Sequence, residues 1–486
     1  MSIAELAPKE VWENFQLLCD TPRPSNEEAE LKRKIREKLA PCPVSIEEDE
    51  VGNLILRKAA TAGHENAPGI ILQSHLDMVA QQNEGTGHDF LTDPIKAYID
   101  GEWVTASGTT LGADNGIGVA AILAVMCSDN IVHGPLEAVL TINEEAGMTG
   151  AKGLQPGVIE GKLLLNLDTE EEGELYIGCA GGVDVTGVLS YEPEVPNSDL
   201  AYLHLSVKGL RGGHSGIDIH RGRGNAVKLM ARIVSRLQEE LSVLRLAALT
   251  GGSLSNAIPR EAFANIAVLP ADVEQVKAVI SELQETFTEE LGSVEPHIHL
   301  AMESCDSAAL LPDPLTLRLL QTIAACPHGV FRMSSDFEGV TETSNNLASI
   351  SMDDHHIRIE CLTRSLKNSS RDEAAESVAA VFGLAGAEVS IEDPYPGWAP
   401  NKDSHLLATL LKLHEEVVGY QPKIQVIHAG LECGILGANY PAWDMISFGP
   451  TIRGAHSPDE AVHIKSVEGF WNFLLAALGH LAKASR

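Results

Sequence analysis

Runs of consecutive apolar residues alternate with amphipathic stretches through the first third of the chain. Such runs are typical of strands buried on both faces of a parallel sheet, and apolar residues spaced three and four apart indicate helices. The predicted helices lie at 25–39 and 116–126, and the predicted strands at 52–57, 69–74, 136–142 and 162–168. This alternation predicts an α/β fold, with helices on both faces of a mixed, largely parallel sheet.

After about residue 182 polar and apolar residues begin to alternate, as in half-exposed antiparallel strands. Strands are predicted at 200–209, 255–268, 344–352 and 357–362, and helices at 225–241, 273–291, 314–325 and 371–382. Near residue 394 the buried pattern returns, with helices at 404–418 and 467–483 and strands at 423–428 and 445–448. We therefore expect one domain formed by residues 1–182 and 395–486, and an α+β domain of residues 183–394 inserted into it.

Composition excludes several classes of function. The 486 residues carry a net charge of −33, which argues against nucleic acid or an anionic membrane surface as a partner. The longest apolar stretches, at 118–127 and 470–478, are too short to span a bilayer, and the first residues do not resemble a signal peptide. We expect a cytoplasmic protein without a membrane partner. The eight scattered cysteines predict free thiols rather than a disulfide framework or a cysteine-based zinc site.

Five residues with metal-binding side chains stand at the ends of apolar runs or in a glycine-containing loop. They are His75, Asp114, Glu145, Asp168 and His456. Each alone has a simpler explanation, such as a helix cap for Asp114 or polar surface for His456. Because α/β sheets gather their ligands at the carboxyl ends of the strands, the five together predict a site for divalent metal. Two imidazoles and three carboxylates suit two zinc-like ions that share a bridging carboxylate.

Two acidic residues beside these candidates predict chemistry. Glu144 and Glu145 would repel each other at the end of an apolar strand unless a cation neutralised them. Because neighbouring side chains point in different directions, one glutamate can bind metal while the other acts as general base toward a metal-bound water molecule. Asp77 lies two residues after His75 on an extended segment and projects to the same side, where it can orient that imidazole.

Two other motifs are rejected as functional sites. The glycines at 112–118 have the spacing G-x-x-x-G-x-G rather than G-x-G-x-x-G, and no basic residue is near to meet a phosphate. The run Asp353, Asp354, His355 and His356 contains four ligand-type residues in a row, but contiguous side chains do not easily converge on one ion. Its position between two predicted strands favours a hairpin turn.

The candidate residues lie in motifs that resemble peptidase family M20. The matching pieces are Ser-His-Leu-Asp, Gly-Ala-Asp-Asn-Gly, Asn-Glu-Glu-Ala-Gly, Asn-Leu-Asp and Gly-Ala-His-Ser, in the family's order. Within that family, the runs Asn-Glu-Glu-Ala-Gly-Met-Thr-Gly-Ala and His-Ala-Gly-Leu-Glu-Cys-Gly are similar to those of the bacterial aminoacyl-histidine dipeptidases, which are cytosolic. The motifs cover both segments of the interrupted domain.

The resemblance implies a role for each candidate. Asp114 bridges two Zn²⁺ ions per subunit, for which Co²⁺ or Mn²⁺ could substitute. His75 and Asp168 complete one metal site, and Glu145 and His456 complete the other. Glu144 is the general base, and Asp77 orients His75. The resemblance also implies a cis peptide bond between Asp114 and Asn115.

By the same resemblance the inserted domain is the family's lid. His214 in Arg-Gly-Gly-His-Ser-Gly matches a lid histidine that stabilises the oxyanion, and Asn256 matches a substrate-binding asparagine. Arg364 is the candidate for the arginine that meets the substrate carboxylate. The insertion is about twice the size of the family's simplest, dimer-forming lid. The sequence therefore leaves open whether the protein is a monomer or a homodimer, and whether His214 serves its own active site or a partner's.

The resemblance implies metal-dependent hydrolysis of unblocked dipeptides, including Xaa-His dipeptides such as carnosine. The alternatives are deacylation of N-acyl amino acids or tripeptide cleavage by the same family, and, in another class, a non-catalytic metal-binding scaffold. A scaffold would bind metal without peptide turnover, and Glu144 beside a full ligand set argues against it.

Overall fold

The computed structural model describes residues 2–483, which form two compact units. The first unit contains the chain up to Gly178, the segment Trp398–Val426 and the chain from Leu431 onward. The second unit contains Cys179–Gly397 and the short segment Ile427–Gly430. The expected insertion, residues 183–394, lies inside the long segment of the second unit, whereas nothing in the sequence pattern predicted the short return at 427–430.

Helices and strands are numbered here in chain order over the described residues. The α-helices are α1 Lys9–Cys19, α2 Ala29–Leu39, α3 Ala113–Cys127, α4 Thr149–Gly153, α5 Ala226–Glu240, α6 Val273–Leu291, α7 Asp313–Ala325, α8 Asn368–Leu384, α9 His405–Val418, α10 Glu432–Asn439 and α11 Ile464–Leu481. The strands are β1 Val44–Glu48, β2 Leu54–Lys58, β3 Ile70–His75, β4 Ala97–Asp100, β5 Trp103–Ala106, β6 Leu136–Thr141, β7 Leu163–Asn166, β8 Glu174–Cys179, β9 Gly181–Ser190, β10 Ala201–Lys208, β11 Leu244–Gly251, β12 Ala262–Val268, β13 His299–Ser304, β14 Gly329–Met333, β15 Thr341–Met352, β16 His356–Ser365, β17 Glu388–Tyr395, β18 Lys423–Ile427, β19 Asp444–Ser447, β20 Ile452–Arg453 and β21 Ala461–His463. Short 3-10 helices lie at Ile3–Glu5, Ile219–Arg221 and Pro270–Asp272.

The first unit is built on an eight-stranded mixed sheet with the order β1-β2-β6-β3-β7-β19-β8-β18. Strands β6, β3, β7 and β19 pair in parallel, whereas β1 with β2, β2 with β6 and β19 with β8 pair antiparallel. Every residue of β3 and β6 is buried, which explains the apolar runs 70–72 and 138–140 within them. The predicted α/β class is confirmed, and the four strands that pair in parallel are neighbours within the sheet.

A second, four-stranded antiparallel sheet in this unit has the order β20-β21-β5-β4. Its strands are two to four residues long, too short for a periodic pattern to predict. The turn between β20 and β21 carries His456, one of the five candidate metal ligands.

The second unit contains a nine-stranded antiparallel sheet, in which β13, β10, β12 and β11 lie on one side and β15, β16, β9 and β17 on the other. The two sides are joined by one residue pair, Gly251 with Ile350, and β14 pairs with β15. Helices α5 to α8 bury apolar residues in a common core with these strands. This architecture confirms the expected α+β class. The strand predicted at 255–268 was wrong in its first half, since β12 begins at Ala262, and β11 was missed.

Two further expectations were wrong. The first charged helix begins at Ala29 rather than at residue 25, because Ser25 and Glu28 turn their side chains toward other segments. Cys42 and Cys127 form a disulfide, so the prediction of free thiols fails for this pair. The two cysteines are 85 residues apart in sequence, and only the meeting of the C-terminal ends of α2 and α3 brings them together. Within the described residues no helix is both long and apolar enough to cross a bilayer.

Candidate metal centre

The five candidate ligands lie together in the first unit. His75 is the last residue of β3, Asp168 follows β7 and Glu145 follows β6, so three ligands lie at the carboxyl ends of three adjacent parallel strands. Asp114 is the second residue of α3, and His456 lies in the turn between β20 and β21. Since α3 and this turn also reach the carboxyl edge, the topology collects side chains from distant parts of the sequence.

Asp114 lies between the two imidazoles. Its Oδ1 is 3.1 Å from Nε2 of His75, and its Oδ2 is 3.1 Å from Nε2 of His456. Asp168 Oδ1 lies 3.4 Å from the same nitrogen of His75, and Glu145 Oε1 lies 3.2 Å from that of His456. The ligand atoms of His75, Asp114 and Asp168 lie within 4.8 Å of one another, as do those of Asp114, Glu145 and His456. These are two three-residue groups with one shared carboxylate.

The donor chemistry of the cluster fits divalent cations. Asp168 Oδ1 and Glu145 Oε1 are buried without a hydrogen-bond donor, although buried polar atoms are normally paired. Burial raises the pKa of Asp168 to about 6, against the lowering effect of His75. The nearby carboxylates of Asp114 and Glu145 raise the pKa of His456 to about 11. The carboxylates thus attract positive charge at this place, and imidazole and carboxylate ligands suit Zn²⁺.

Asp77 fixes the region around His75 and Glu144. Its Oδ1 accepts the N–H of Glu144 at 2.9 Å, and its Oδ2 accepts the N–H of Glu145 at 3.1 Å and the hydroxyl of Ser25 at 2.7 Å. Oδ1 also lies 3.4 Å from Nδ1 of His75. Although burial opposes it, contact with His75, Ser25 and the Glu144 amide lowers the pKa of Asp77 to about 2. Asp77 is therefore an anion whose carboxylate faces the imidazole and accepts the backbone N–H groups of both glutamates.

Glu144 lies beside the ligands and is itself suited to move a proton. One of its carboxylate oxygens, one imidazole nitrogen of His75 and one carboxylate oxygen of Glu145 lie within 4.8 Å of one another. Burial raises the pKa of Glu144 well above its usual value, and the charges of Glu145 and Asp168 raise it further. The preceding Asn143 has a left-handed φ of 55°, and its N–H donates to Glu28 at 2.9 Å. The backbone before Glu144 is thus held in a conformation that asparagine tolerates.

The turn that carries Asp114 has an unusual backbone. The Asp114–Asn115 peptide bond is cis, as the family resemblance implied. Neither Asp114 nor Asn115 has helical backbone angles, although both lie within the first turn of α3. The side-chain amide of Asn115 donates to the backbone carbonyl of Leu167 at 2.7 Å, and this bond connects the turn to the residue just before Asp168.

Three charged residues at this site were missed by the sequence interpretation. Arg23, Glu432 and Glu460 are almost completely buried. Glu432 Oε2 accepts hydrogen bonds from Gln73 and Thr141 at 2.6 Å each, and burial raises the pKa of Glu432 to about 7. None of the three ends an apolar run, so the signal that identified the ligands could not find them. Glu432 lies in the run His-Ala-Gly-Leu-Glu-Cys-Gly, and Glu460 stands four residues after His456; these positions are the signals that the sequence offers.

The residues predicted for substrate binding lie in the second unit, where they converge on Ser215. The Ser215 N–H donates to the carbonyl of Asn256 at 2.8 Å, and Arg364 Nε donates to the Ser215 hydroxyl at 3.2 Å. His214 directly precedes Ser215 and accepts the N–H groups of Gly216 and Ile217 at its Nδ1. Arg364 also donates to the hydroxyl of Tyr395 at 2.6 Å. The structure therefore brings His214, Asn256 and Arg364 together.

The rejected run at 353–356 lies in the hairpin between β15 and β16, as predicted. Asp353 accepts the N–H groups of His355 and His356 at 2.8 and 2.7 Å, so its carboxylate closes the turn.

Comparison with known proteins identifies relatives along the whole chain. The model of peptidase family M20/M25/M40 matches residues 71–480. The cytosol non-specific dipeptidase of Escherichia coli is 46% identical over 478 residues, 98% of each chain. The crystal structure of aminoacylhistidine dipeptidase from Vibrio alginolyticus superposes with a TM-score of 0.86 at 45% identity, covering 99% of this chain and 98% of that one. A tripeptidase from Staphylococcus aureus, at 16% identity and a TM-score of 0.58 over 99% of this chain and all of that one, shares the fold.

Proposed function

The chain belongs to peptidase family M20/M25/M40, and from that premise we propose that it hydrolyses unblocked dipeptides, Xaa-His dipeptides such as carnosine among them. The names of the two relatives with 45–46% identity support a dipeptidase, and one of them supports histidine as the second residue. The name of the Escherichia coli relative also supports a cytoplasmic location. Among the structural observations, the one that carries the proposal is Asp114, whose two oxygens face two imidazoles.

We assign two Zn²⁺ ions to the cluster, one to His75, Asp114 and Asp168 and the other to Asp114, Glu145 and His456. When bound, these ions would polarise the scissile carbonyl and lower the pKa of the attacking water. The unpaired oxygens of Asp168 and Glu145 and the shared carboxylate support this assignment. The same ligands would also accept Co²⁺ or Mn²⁺ in place of Zn²⁺.

Glu144 serves in this proposal as the general base. Its carboxylate takes a proton from the attacking water and passes it to the leaving amine, so that the peptide bond breaks without releasing a strongly basic amide ion. The place of Glu144 supports this role, because one of its carboxylate oxygens lies within 4.8 Å of ligand atoms of His75 and Glu145. Asp77 keeps Glu144 and His75 in place by accepting backbone N–H groups and facing the imidazole.

His214, Asn256 and Arg364 are assigned to the substrate. We propose that His214 stabilises the oxyanion, Asn256 contacts the substrate backbone and Arg364 meets the terminal carboxylate. Their shared contacts with Ser215 support a common function, since a shift of one residue would disturb the others.

Substrate profiling tests the proposal against its alternatives. The protein is incubated with β-Ala-His, Ala-His, N-acetyl-His and Ala-Ala-His, with Zn²⁺ or with a chelator. We expect metal-dependent cleavage of the two unblocked dipeptides and little turnover of the other two. Faster cleavage of N-acetyl-His would establish a deacylase, and faster cleavage of Ala-Ala-His a tripeptidase. Metal binding without turnover of any of the four would indicate a scaffold.

A further inference from the structure

Two opposite charges are buried beside the ligand cluster without touching each other's side chains. Arg23 is 1% exposed and Glu460 is 2% exposed. Taking isolated charges out of water is costly, so such groups persist where they satisfy other polar groups. Each of these two side chains bonds mainly to backbone atoms, and that backbone belongs to the segments that carry the candidate ligands.

Glu460 holds the turn that precedes Asp114. Its Oε2 accepts the N–H groups of Leu111 and Gly112 at 2.7 and 2.9 Å, and its Oε1 accepts the N–H of Asp114 at 3.2 Å. These donors lie at the start of α3, where amide groups need acceptors and the helix dipole favours negative charge. Glu460 also belongs to the same loop as His456. It therefore fastens the His456 loop to the backbone of the shared ligand.

Arg23 holds the same turn from the other side. Its Nη1 donates to the carbonyls of Leu76 and Asp77 at 2.9 Å each, and its Nη2 donates to the carbonyl of Gly112. Gly112 thus donates its N–H to Glu460, and its carbonyl accepts a hydrogen bond from Arg23. Since Leu76 directly follows His75, Arg23 fastens the segment that carries His75 to the turn that carries Asp114.

We propose that Arg23 and Glu460 are positioning residues that hold Asp114 at the right place between His75 and His456 and so set the affinity of the two metal positions. The inference rests on the proposed two-metal function. Each of the two residues acts chiefly on one of the two ligand sets. Arg23 links Asp114 to His75, whereas Glu460 links Asp114 to His456. Removing Glu460 therefore weakens chiefly the position formed by Asp114, Glu145 and His456, and removing Arg23 chiefly the position that contains His75.

Titration with Co²⁺ tests the inference without reference to activity. The full-length protein is stripped of metal with a chelator and titrated by calorimetry and visible absorption, which reports each occupied position. The variants are Glu460→Gln, which keeps the shape and loses the charge, and Glu460→Asp, which keeps the charge and shortens the reach. Asp459→Asn, an exposed neighbour in the same loop, is the matched control. Thermal unfolding is measured for each protein.

We expect two Co²⁺ ions on the wild type and on Asp459→Asn. In Glu460→Gln we expect one ion bound nearly as in the wild type and the other about 10–100-fold more weakly, the usual effect of removing an outer partner of a metal site. Glu460→Asp should weaken the same ion by less. Arg23→Lys, which keeps one charge but loses the planar set of donors, should weaken the other ion, with a different absorption change.

Two outcomes would overturn the inference separately from the proposed function. Two ions bound with wild-type affinity by Glu460→Gln, or by Glu460→Asp if the first variant does not fold, would show that Glu460 does not position Asp114. Equal weakening of both ions by Glu460 and Arg23 variants would remove the division between them. A wild type that binds fewer than two ions would instead refute the two-metal function, and the inference with it.

Discussion

The Nε2 atom of His456 lies 3.1 Å from Oδ2 of Asp114, although 342 residues separate them in sequence. Because the other oxygen of Asp114 faces His75, one carboxylate addresses both halves of the cluster. Replacing it should therefore affect both proposed metal positions at once, whereas each of the other four candidate ligands is assigned to one position.

The first prediction concerns this shared carboxylate. Asp114→Asn replaces one oxygen by an NH₂ group, which does not bind metal, so the variant should lose at least one of two ions. Activity on β-Ala-His should fall by roughly 10³-fold or more, the scale of several kcal/mol of lost electrostatic stabilisation. Elemental analysis and steady-state kinetics check this, with the exposed Asp100→Asn as control. Two ions retained at full activity would exclude a bridging role.

Asp77 gives the second prediction. In Asp77→Asn one acceptor oxygen becomes an NH₂ group, which faces the N–H of Glu144 or of Glu145 and cannot accept from it. We expect kcat to fall by roughly 10–100-fold with KM little changed, because Glu144 and His75 are still present but are no longer held in position. A purely raised KM in the kinetic measurement would instead place Asp77 in substrate binding.

Gly112 gives the third prediction. It has a φ of +74°, and a Cβ atom there would collide with Nη2 of Arg23 and lie 2.8 Å from the sulfur of Met78. Gly63 has a similar φ of +88° with nothing within 4 Å of an added Cβ, so Gly63→Ala measures the cost of the backbone angle alone. Gly112→Ala should lower the free energy of unfolding by roughly 1–3 kcal/mol more than the control. Equal losses in denaturant titrations would contradict the packing around Arg23.

The fourth prediction concerns pH and the second unit. Burial, reinforced by the charge of Lys228, lowers the pKa of His328 to about 4, and its Nδ1 accepts the N–H of Leu347. Since the unfolded chain binds a proton at about pH 6.5, it holds more protons than the folded protein between pH 4 and 6.5. Stability should therefore decrease as pH falls through this window, by on the order of 1–3 kcal/mol from this residue.

His328→Gln isolates that contribution. Its unfolding free energy should fall less between pH 6.5 and 4 than that of the wild type, while the exposed His355→Gln should follow the wild type. Chemical denaturation at several pH values measures the slope of the unfolding free energy against pH for each variant and for the wild type. Parallel slopes for His328→Gln and the wild type would show that His328 is not held neutral in the folded protein.

Much of the ligand cluster was predictable because its chemistry coincides with a pattern in the sequence. His75, Glu145 and Asp168 each end or follow a buried strand, and adjacent parallel strands necessarily deliver such residues to one edge. The clustering with Asp114 and His456 also appears in the structure, whereas the roles assigned to these residues remain predictions. The boundaries of long helices such as α6 were predictable for a similar reason, since they follow a strong apolar period.

Other parts of the molecule had no local signal. Arg23 and Glu460 act on backbone groups that any residue possesses, so their partners cannot be read from side-chain types. The helix α2 begins late because Ser25 and Glu28 bond to Asp77 and to the Asn143 amide, a tertiary effect that overrides helix propensity. The Cys42–Cys127 pair likewise depends on where two helices end in space.

The most direct test of the proposed chemistry is the turnover of β-Ala-His by Glu144→Gln with its metal content measured in parallel. We expect two ions to remain bound, because Glu144 is not among the assigned ligands, and kcat to fall by roughly 10²–10⁴-fold. The exposed Glu171→Gln should behave as the wild type. A Glu144→Gln protein that keeps two ions and cleaves β-Ala-His at the wild-type rate would show that Glu144 is not the general base.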